Sequence, residues 1–261
     1  MSDPIRLFVG TSANNEDLEA ECVLEYTARK HCSRPLEITW MRQAASGPWS
    51  GWASSATGRT PFTAFRWSLP AVRQWNGRAI YSDVDFFFTG DLGEVWAQPI
   101  PGVALVRNPT GKLSTSFIVF DCARARGHVP TLEQLRAMPD AHDAMLKYFR
   151  AHPELLAATE GNWDCPDLKG ASLGDPQLKA VHFTRIETQL HLRYAVPRLK
   201  AEGRVHWYTG EIFSHPNQAL VDHYDQLWRE AQAAGYTVER ARVTPFVKAT
   251  RRDFSYKQHV R

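Results

Sequence analysis

Two acidic residues, Asp83 and Asp85, stand one residue apart between two apolar runs. Ala79-Ile80-Tyr81 precedes them and is typical of a buried strand, and Phe86-Phe87-Phe88 follows at once. Because carboxylates are costly to bury unless a cation compensates them, this setting indicates a divalent-metal site. Residues two apart in a strand share a face, so both carboxylates are expected to reach one ion.

Two other interpretations of this acidic pair stay open. Such a triplet occurs by chance about once in a chain of this length, and a solvated turn with two surface acids would also produce it. The pair also resembles the motif of aspartyl-phosphate hydrolases, in which the first Asp is a nucleophile and the second a general acid. Phe87 stands where that motif has a Thr, and the pair lies far from the first strand, so the metal site is favoured.

The start of the chain predicts the elements that would position these acids. Ile5 to Val9 forms a short apolar strand, and Asn14 or Asn15 can cap a helix that follows it. Leu36 to Met41 then alternates as a second strand. This β-α-β order is the mark of a parallel sheet covered by helices. Ligands collect at the carboxyl ends of the strands in such sheets, where the acidic pair would lie.

The rest of the chain continues an α/β pattern after a long loop at residues 44–60. Further strands are predicted at Arg78–Asp85, Val103–Val106, Phe117–Phe120 and Lys179–Phe183. One helix is predicted from Arg66 up to Pro70, and another begins at a capping box formed by Thr131 and Gln134. Two more are predicted from Asp140 to Arg150 and from Ser214-His215-Pro216 to Gly235.

Composition excludes several classes of protein. The 261 residues, 43% of them hydrophobic, suffice for one ordinary α/β domain, and a net charge of +3 is too small to imply nucleic-acid binding. We see no signal peptide and no apolar run near the ~20 residues that span a bilayer. The four cysteines form no CxxC pair, so we expect reduced thiols and a cytoplasmic location.

The acidic pair and its surroundings resemble a known family. Arg78 to Asp85, followed by Gly90-Asp91-Leu92 and Trp96, is similar to the core strand and next helix of the retaining glycosyltransferases of glycogenin and the bacterial lipopolysaccharide galactosyltransferases. The resemblance implies α/β architecture in a single Rossmann-like glycosyltransferase A-type (GT-A) domain, with a mostly parallel central sheet flanked by helices. We assign residues 1–245 to this domain and residues 246–261 to a basic tail.

The resemblance also implies a donor site and a metal site. Ile5 to Ser12 resembles the opening strand whose end grips uridine, which makes Thr11 and Ser12 donor-binding candidates. Arg66, within Thr63–Pro70, resembles a basic residue near the donor, and Ser82 and Asp83 belong to the core motif. His182 resembles the third metal ligand beside Asp83 and Asp85. Mixed carboxylate and imidazole ligands suit Mn²⁺, with Mg²⁺ as the second choice.

Three further segments resemble the family with departures. Ser114 to Phe120, including Ser116 as a donor-binding candidate, is similar to the segment that lines the sugar and acceptor pocket, without its Asn and Gly. Asp164 resembles an acidic residue that holds sugar hydroxyls, which makes it a catalytic candidate. After His182 the family has a Gly and Lys-Pro-Trp that clamp the diphosphate, whereas this chain offers Arg185 for the donor and Gln189 for catalysis.

The expected function is metal-dependent transfer of a sugar from a nucleoside diphosphate, with UDP favoured, to a hydroxyl, with retention of configuration. The expected partners are the sugar nucleotide and a carbohydrate or lipid-linked acceptor. Two alternatives stay open: a phosphohydrolase or nucleotidyltransferase that uses the same acids, and a sugar-nucleotide-binding domain without catalysis. The basic, aromatic tail could touch the inner face of an anionic membrane or remain a solvated terminus.

Overall fold

The structure is a computed structural model that describes residues 3–52, 60, 62–110 and 112–246. Part of the predicted loop at 44–60 therefore lies outside the described residues. So does the basic tail apart from Phe246, and its membrane contact stays a prediction. No helix in the described ranges is long and apolar enough to cross a membrane.

Nine strands and eight helices make up the described regular structure, with short 3-10 turns between them. The strands are β1 (Ile5–Gly10), β2 (Leu36–Met41), β3 (Arg78–Asp83), β4 (Phe86–Phe88), β5 (Ala104–Val106), β6 (Phe117–Asp121), β7 (Leu156–Ala158), β8 (Cys165–Pro166) and β9 (Ala180–His182). The helices are α1 (Leu18–His31), α2 (Leu69–Val72), α3 (Leu92–Ala97), α4 (Leu132–Ala137), α5 (Ala141–Ala151), α6 (Leu192–Ala201), α7 (Gln218–Ala233) and α8 (Val238–Ala241).

The central sheet has six strands in the order β2-β1-β3-β6-β5-β7. Strand β1 pairs in parallel with both β2 and β3, and β5 pairs in parallel with β7, whereas β6 is antiparallel to both of its neighbours. Strands β1 and β3 are buried along almost their whole length, which explains why their sequences read as continuous apolar runs. The mostly parallel α/β fold expected from the sequence is confirmed.

A second, three-stranded sheet in the order β4-β9-β8 stands beside the first. The sequence predicts one strand from Arg78 to Asp85, and this prediction is wrong at its end. Strand β3 stops at Asp83, the chain bends, and β4 begins at Phe86. Strand β4 pairs antiparallel with β9 so that Phe86 lies opposite His182. The bend therefore brings a late segment of the chain back to the acidic pair.

Several predicted helix boundaries are confirmed and others move. The capping box at Thr131 and Gln134 is present. The late helix begins at Gln218 rather than near Ser214, because the side chain of Asn217 accepts a hydrogen bond from the Leu220 amide. Pro70 lies in the first turn of α2, where its missing N–H is tolerated, and does not end a helix.

Candidate functional site

A cavity of about 390 Å³ opens at the carboxyl ends of β1 and β3. Gly10, the last residue of β1, is level with Asp83, the last residue of β3. The cavity is also lined by the loop that precedes β6, by one face of α5 and by the segment that follows β9. This position is where a sheet of this kind collects ligands.

Asp83 is held by two neighbours. Tyr81, two residues earlier on the same face of β3, donates its hydroxyl to Oδ1 of Asp83. Arg66 donates from Nη2 to both carboxylate oxygens, at 2.8 and 3.1 Å, and its guanidinium lies 4.8 Å from the centre of the Tyr81 ring. Burial raises the pKa of Tyr81 well above its usual value, so the hydroxyl remains a donor.

The close approach of Tyr81 depends on the glycine at position 10. A Cβ atom at Gly10 would lie 2.5 Å from the hydroxyl of Tyr81 and 2.9 Å from the ring of Phe62. Both distances are shorter than van der Waals contact, so any larger residue would displace one of the two rings. Gly10 thus permits the arrangement that fixes Asp83.

Asp85 lies in the bend between β3 and β4, and its backbone carbonyl accepts from the Phe183 amide at 3.0 Å. Gln189 donates from Nε2 to Oδ2 of Asp85 at 2.5 Å and to the Phe183 carbonyl at 2.9 Å. The other carboxylate oxygen, Oδ1, is buried and has no hydrogen-bond partner among the described residues. Strand alternation was expected to align the two acids, but the bend does so instead.

His182, the last residue of β9, is fixed on two sides. Its Nδ1 lies 2.7 Å from Oδ1 of Asp164, and its ring stacks on Phe86 with 4.4 Å between the ring centres. The buried carboxylate of Asp164 keeps the proton on Nδ1. When the ring is neutral, the lone pair is therefore on Nε2, and this atom lies 3.7 Å from Oδ1 of Asp85.

The ionisable groups of this site perturb one another. Burial raises the pKa of Asp85 to about 7, although His182 opposes the shift. Burial lowers the pKa of His182, but the charges of Asp164 and Asp85 outweigh it and raise the value to about 9. Burial also disfavours the charged form of Asp164, yet His182 holds its pKa below the usual range. Without a cation, the site therefore keeps a proton on His182 at neutral pH.

These groups fit a divalent cation. One ligand atom from each of Asp83, Asp85 and His182 lies within 4.8 Å of the other two. The partnerless Asp85 oxygen faces an imidazole nitrogen whose opposite nitrogen is held by a carboxylate, which is the usual support of a metal-ligating histidine. Carboxylate and imidazole ligands together suit Mn²⁺, and Mg²⁺ is compatible with the two carboxylates.

A second cluster of metal-binding residue types, Asp17 with His191 and His206, has a different chemistry. The amide of Tyr208 donates to Nδ1 of His206 at 3.0 Å, so the proton of the neutral imidazole is on Nε2, which donates to Asp17 at 2.9 Å. Trp207 donates to the same carboxylate at 3.1 Å. A metal bound to Nε2 of His206 would move the ring proton to Nδ1, where it would face the N–H of the Tyr208 amide. The cluster instead ties the segment after α6 to the loop after β1.

The structure brings six of the predicted site residues together in the lining of the cavity: Arg66, Asp83, Asp85, Ser116, His182 and Gln189. The backbone carbonyl of Ser116 accepts from the Asp83 amide at 3.0 Å, which joins the start of β6 to the end of β3. The roles predicted for these residues remain predictions, but their convergence from five separate segments is observed.

The other predicted site residues lie outside the described cavity lining. Thr11 donates to Glu21 at 2.7 Å, Ser12 accepts from the Asp17 amide, and Ser82 donates to the Asp83 carbonyl. Asp164 is 1% exposed and lies behind His182. The side chain of Arg185 is 62% exposed and pairs with Glu187. The catalytic role of Asp164 and the donor contacts of the other four stay predictions.

Several lining residues carry no signal in the sequence. The loop before β6 contributes Lys112, which precedes the segment from Ser114 that is predicted to line the pocket. Ser114 itself donates to the carboxylate of Asp164. Helix α5 contributes His142, Leu146 and Arg150. Their spacing of four residues indicates only an amphipathic helix, and the face that meets the cavity is decided by packing.

Solved glycosyltransferase structures share this fold at low sequence identity. WbbM, a bifunctional glycosyltransferase, aligns with a TM-score of 0.57 and 11% identity over 89% of this chain and 52% of its own. The galactosyltransferase LgtC, in complex with donor and acceptor sugar analogs, gives 0.52 and 8% over 89% and 100%. GlyE of Streptococcus pneumoniae TIGR4 gives 0.51 and 11% over 90% and 64%. No family model and no curated protein sequence matches the chain.

These similarities define the class of fold. The chain has a GT-A-type glycosyltransferase fold, spans about half of the WbbM chain, and covers the whole length of the LgtC chain. Identities of 8 to 11% establish the architecture alone. The activity must be argued from the residues of the site.

Proposed function

We propose that this chain is a metal-dependent glycosyltransferase that moves a sugar from a nucleoside diphosphate, with UDP as the expected carrier, to a hydroxyl group. The observation that carries the proposal is the meeting of Asp83, Asp85 and His182 in one cavity at the ends of β1 and β3. Oδ1 of Asp85, which is buried without a hydrogen bond and lies 3.7 Å from Nε2 of His182, adds support for a ligand there.

The proposed chemistry begins with departure of the diphosphate, on which negative charge develops. A cation held by Asp83, Asp85 and His182 would supply a Lewis acid for that charge. Asp164 and Phe86 would hold the imidazole of His182 in place, while Arg66 and Tyr81 would do the same for Asp83. Fixed groups of this kind need no reorganisation during the reaction.

Gln189 has two roles that its position allows. Its amide nitrogen is engaged by Asp85 and by the Phe183 carbonyl, and the side chain lines the cavity. It therefore orients Asp85 and stands where the sugar or acceptor would pass. We propose retention of configuration without a protein nucleophile, as the family resemblance implies, and we assign no catalytic base.

The acceptor is proposed to be a carbohydrate, free or lipid-linked. LgtC has been solved in complex with donor and acceptor sugar analogs, and the same fold would leave room for both substrates in this chain. Membrane contact through residues 246–261 is a separate proposal. Equal flotation of the full chain and of residues 1–245 with anionic liposomes would remove it.

The direct test is incubation with a panel of UDP-sugars and Mn²⁺, with detection of free UDP. The wild type should release UDP, and Asp85→Asn should not, although it stays folded. Asp222→Asn, an exposed acid on α7, is the matched control and should keep full activity. Release of UMP would indicate a phosphohydrolase or nucleotidyltransferase instead. Binding of UDP without turnover of any sugar would indicate a binding domain, and full activity of Asp85→Asn in EDTA would exclude the proposal.

A further inference from the structure

Two basic side chains, Lys112 and Arg150, line the cavity from elements that carry none of the candidate metal ligands. Lys112 lies in the loop before β6, and Arg150 lies in the last turn of α5. Both are exposed, and neither has a hydrogen bond or an ion pair with a described residue. Arg66, the third Lys or Arg of the described lining, instead donates to Asp83 and to the backbone carbonyls of Thr63 and Thr115.

Arg150 reaches the cavity because of its place on α5. His142, Leu146 and Arg150 recur every four residues and share one face of the helix, and all three line the cavity. Trp67 donates to Nδ1 of His142 at 3.2 Å, which anchors the first turn of that face on the core. A basic residue in the last turn also suits the helix dipole, but the dipole does not require it to face the cavity.

The carboxylates of the described lining have partners other than Lys112 and Arg150, and the one oxygen without a hydrogen bond, Oδ1 of Asp85, belongs to the candidate metal site. Asp17 accepts from His206 and Trp207, Asp83 accepts from Arg66 and Tyr81, and Asp85 accepts from Gln189. Lys112 and Arg150 are therefore two like charges in one cavity, and neither forms an ion pair with a carboxylate of the described residues. An anionic group of a ligand would be stabilised by both.

Two apolar residues of the cavity lining adjoin these cations along the chain. Leu113 is next to Lys112 in the loop, and Leu146 is one turn before Arg150, and both are buried. A ligand in this cavity could thus place an uncharged body against the leucines and a charged group near the basic side chains.

We propose that Lys112 and Arg150 bind a phosphate or carboxylate group of a substrate. The inference rests on the proposed function and extends it. It adds to the metal site a second site in the same cavity, which binds an anionic group of the substrate directly. The same chemistry has two sources: the diphosphate of the donor, or an acidic group on the donor sugar or the acceptor.

The test uses the double variant Lys112→Gln with Arg150→Gln in the full chain. The matched control is Lys147→Gln with Arg229→Gln, which removes two exposed cations outside the cavity lining. Calorimetry or ligand-observed NMR would measure binding of three probes: inorganic pyrophosphate in EDTA, UDP with Mn²⁺, and glucose 6-phosphate compared with glucose. Because both test residues are exposed, thermal melting should show that both variants remain folded.

The variant should bind at least one anionic probe about tenfold more weakly than the wild type and the control do. Loss of UDP or pyrophosphate binding would assign the cations to the diphosphate. Loss of the preference for glucose 6-phosphate, with UDP binding intact, would assign them to an acidic sugar. If the wild type binds UDP with Mn²⁺ and the double variant binds every probe as tightly as the wild type does, this proposal is overturned. The proposed function would then still stand. A wild type that binds no anionic probe better than glucose would overturn both.

Discussion

Nδ1 of His182 lies 2.7 Å from Oδ1 of Asp164, and both side chains are buried. Ser114 donates to the second oxygen of Asp164, and Arg107 donates to its backbone carbonyl at 2.5 Å. These two hydrogen bonds hold Asp164 in place, and Asp164 in turn orients the imidazole of His182. This relationship makes Asp164 a positioning residue for the candidate metal site, because it acts through His182.

Asp164→Asn should weaken Mn²⁺ binding about 10- to 100-fold, because a neutral amide no longer holds the proton on Nδ1. Isothermal calorimetry with Mn²⁺ measures the change. Asp167→Asn is the matched control, since Asp167 forms a second buried carboxylate–imidazole pair with His215, at 3.0 Å, outside the three candidate ligands. Equal losses of metal affinity in the two variants would show that Asp164 has only a general structural effect.

Metal affinity should rise with pH. The pKa of His182 is about 9 and that of Asp85 about 7, and Mn²⁺ must displace a proton from each group that is still protonated. Between these two values one proton is released, which gives about a tenfold gain in affinity per pH unit, and below about pH 7 the dependence should be steeper. Calorimetry from about pH 6 to 8.5 measures the slope. A flat profile would mean that His182 is not a ligand.

Arg66 should matter for stability as well as for the site. Removal of one partner of a buried ion pair leaves the other charge uncompensated, so Arg66→Met should lower the free energy of unfolding by about 3–5 kcal/mol. Arg193→Met is the comparison, because it breaks an exposed pair with Asp225 and should cost no more than about 1 kcal/mol. Urea unfolding measures both, and equal losses would contradict the importance of the buried pair.

Gly10→Ala should damage the site through Tyr81. The new Cβ would lie 2.5 Å from the Tyr81 hydroxyl, so the ring must move away from Asp83. We expect destabilisation of about 1–3 kcal/mol together with weaker binding of Mn²⁺ and UDP. Gly127→Ala, at a position with φ of 88° and no neighbour within 4 Å, should destabilise by backbone strain alone and leave binding unchanged.

Local patterns in the sequence predict the frame of the molecule well. The β-α-β opening, the strands at residues 103–106 and 117–120 and the capping box at Thr131 all depend on neighbouring residues. The position of Asp83 at a strand end could be predicted for the same reason. The bend at Val84-Asp85 could not, because it depends on pairing of Phe86 with His182, almost a hundred residues later.

The side-chain contacts of the site could not be predicted from local sequence patterns, because they join segments that are far apart in the chain. Asp164 reaches His182 only because β8 pairs with β9. Gln189 enters the cavity and Arg185 leaves it because a 3-10 turn at Ile186–Thr188 separates them, and the orientation of that turn is set by packing. Lys112 and Arg150 line one cavity from two elements that share no sequence signal.

The central claim is that Asp83, Asp85 and His182 bind a divalent cation together with a nucleoside diphosphate. A thermal-shift titration of the wild type and Asp85→Asn with UDP, with Mn²⁺ and with both tests it most directly. We predict a large shift for the wild type only when UDP and Mn²⁺ are both present, and none for Asp85→Asn. An equal shift in the variant, or a shift with UDP that persists in EDTA, would contradict the account.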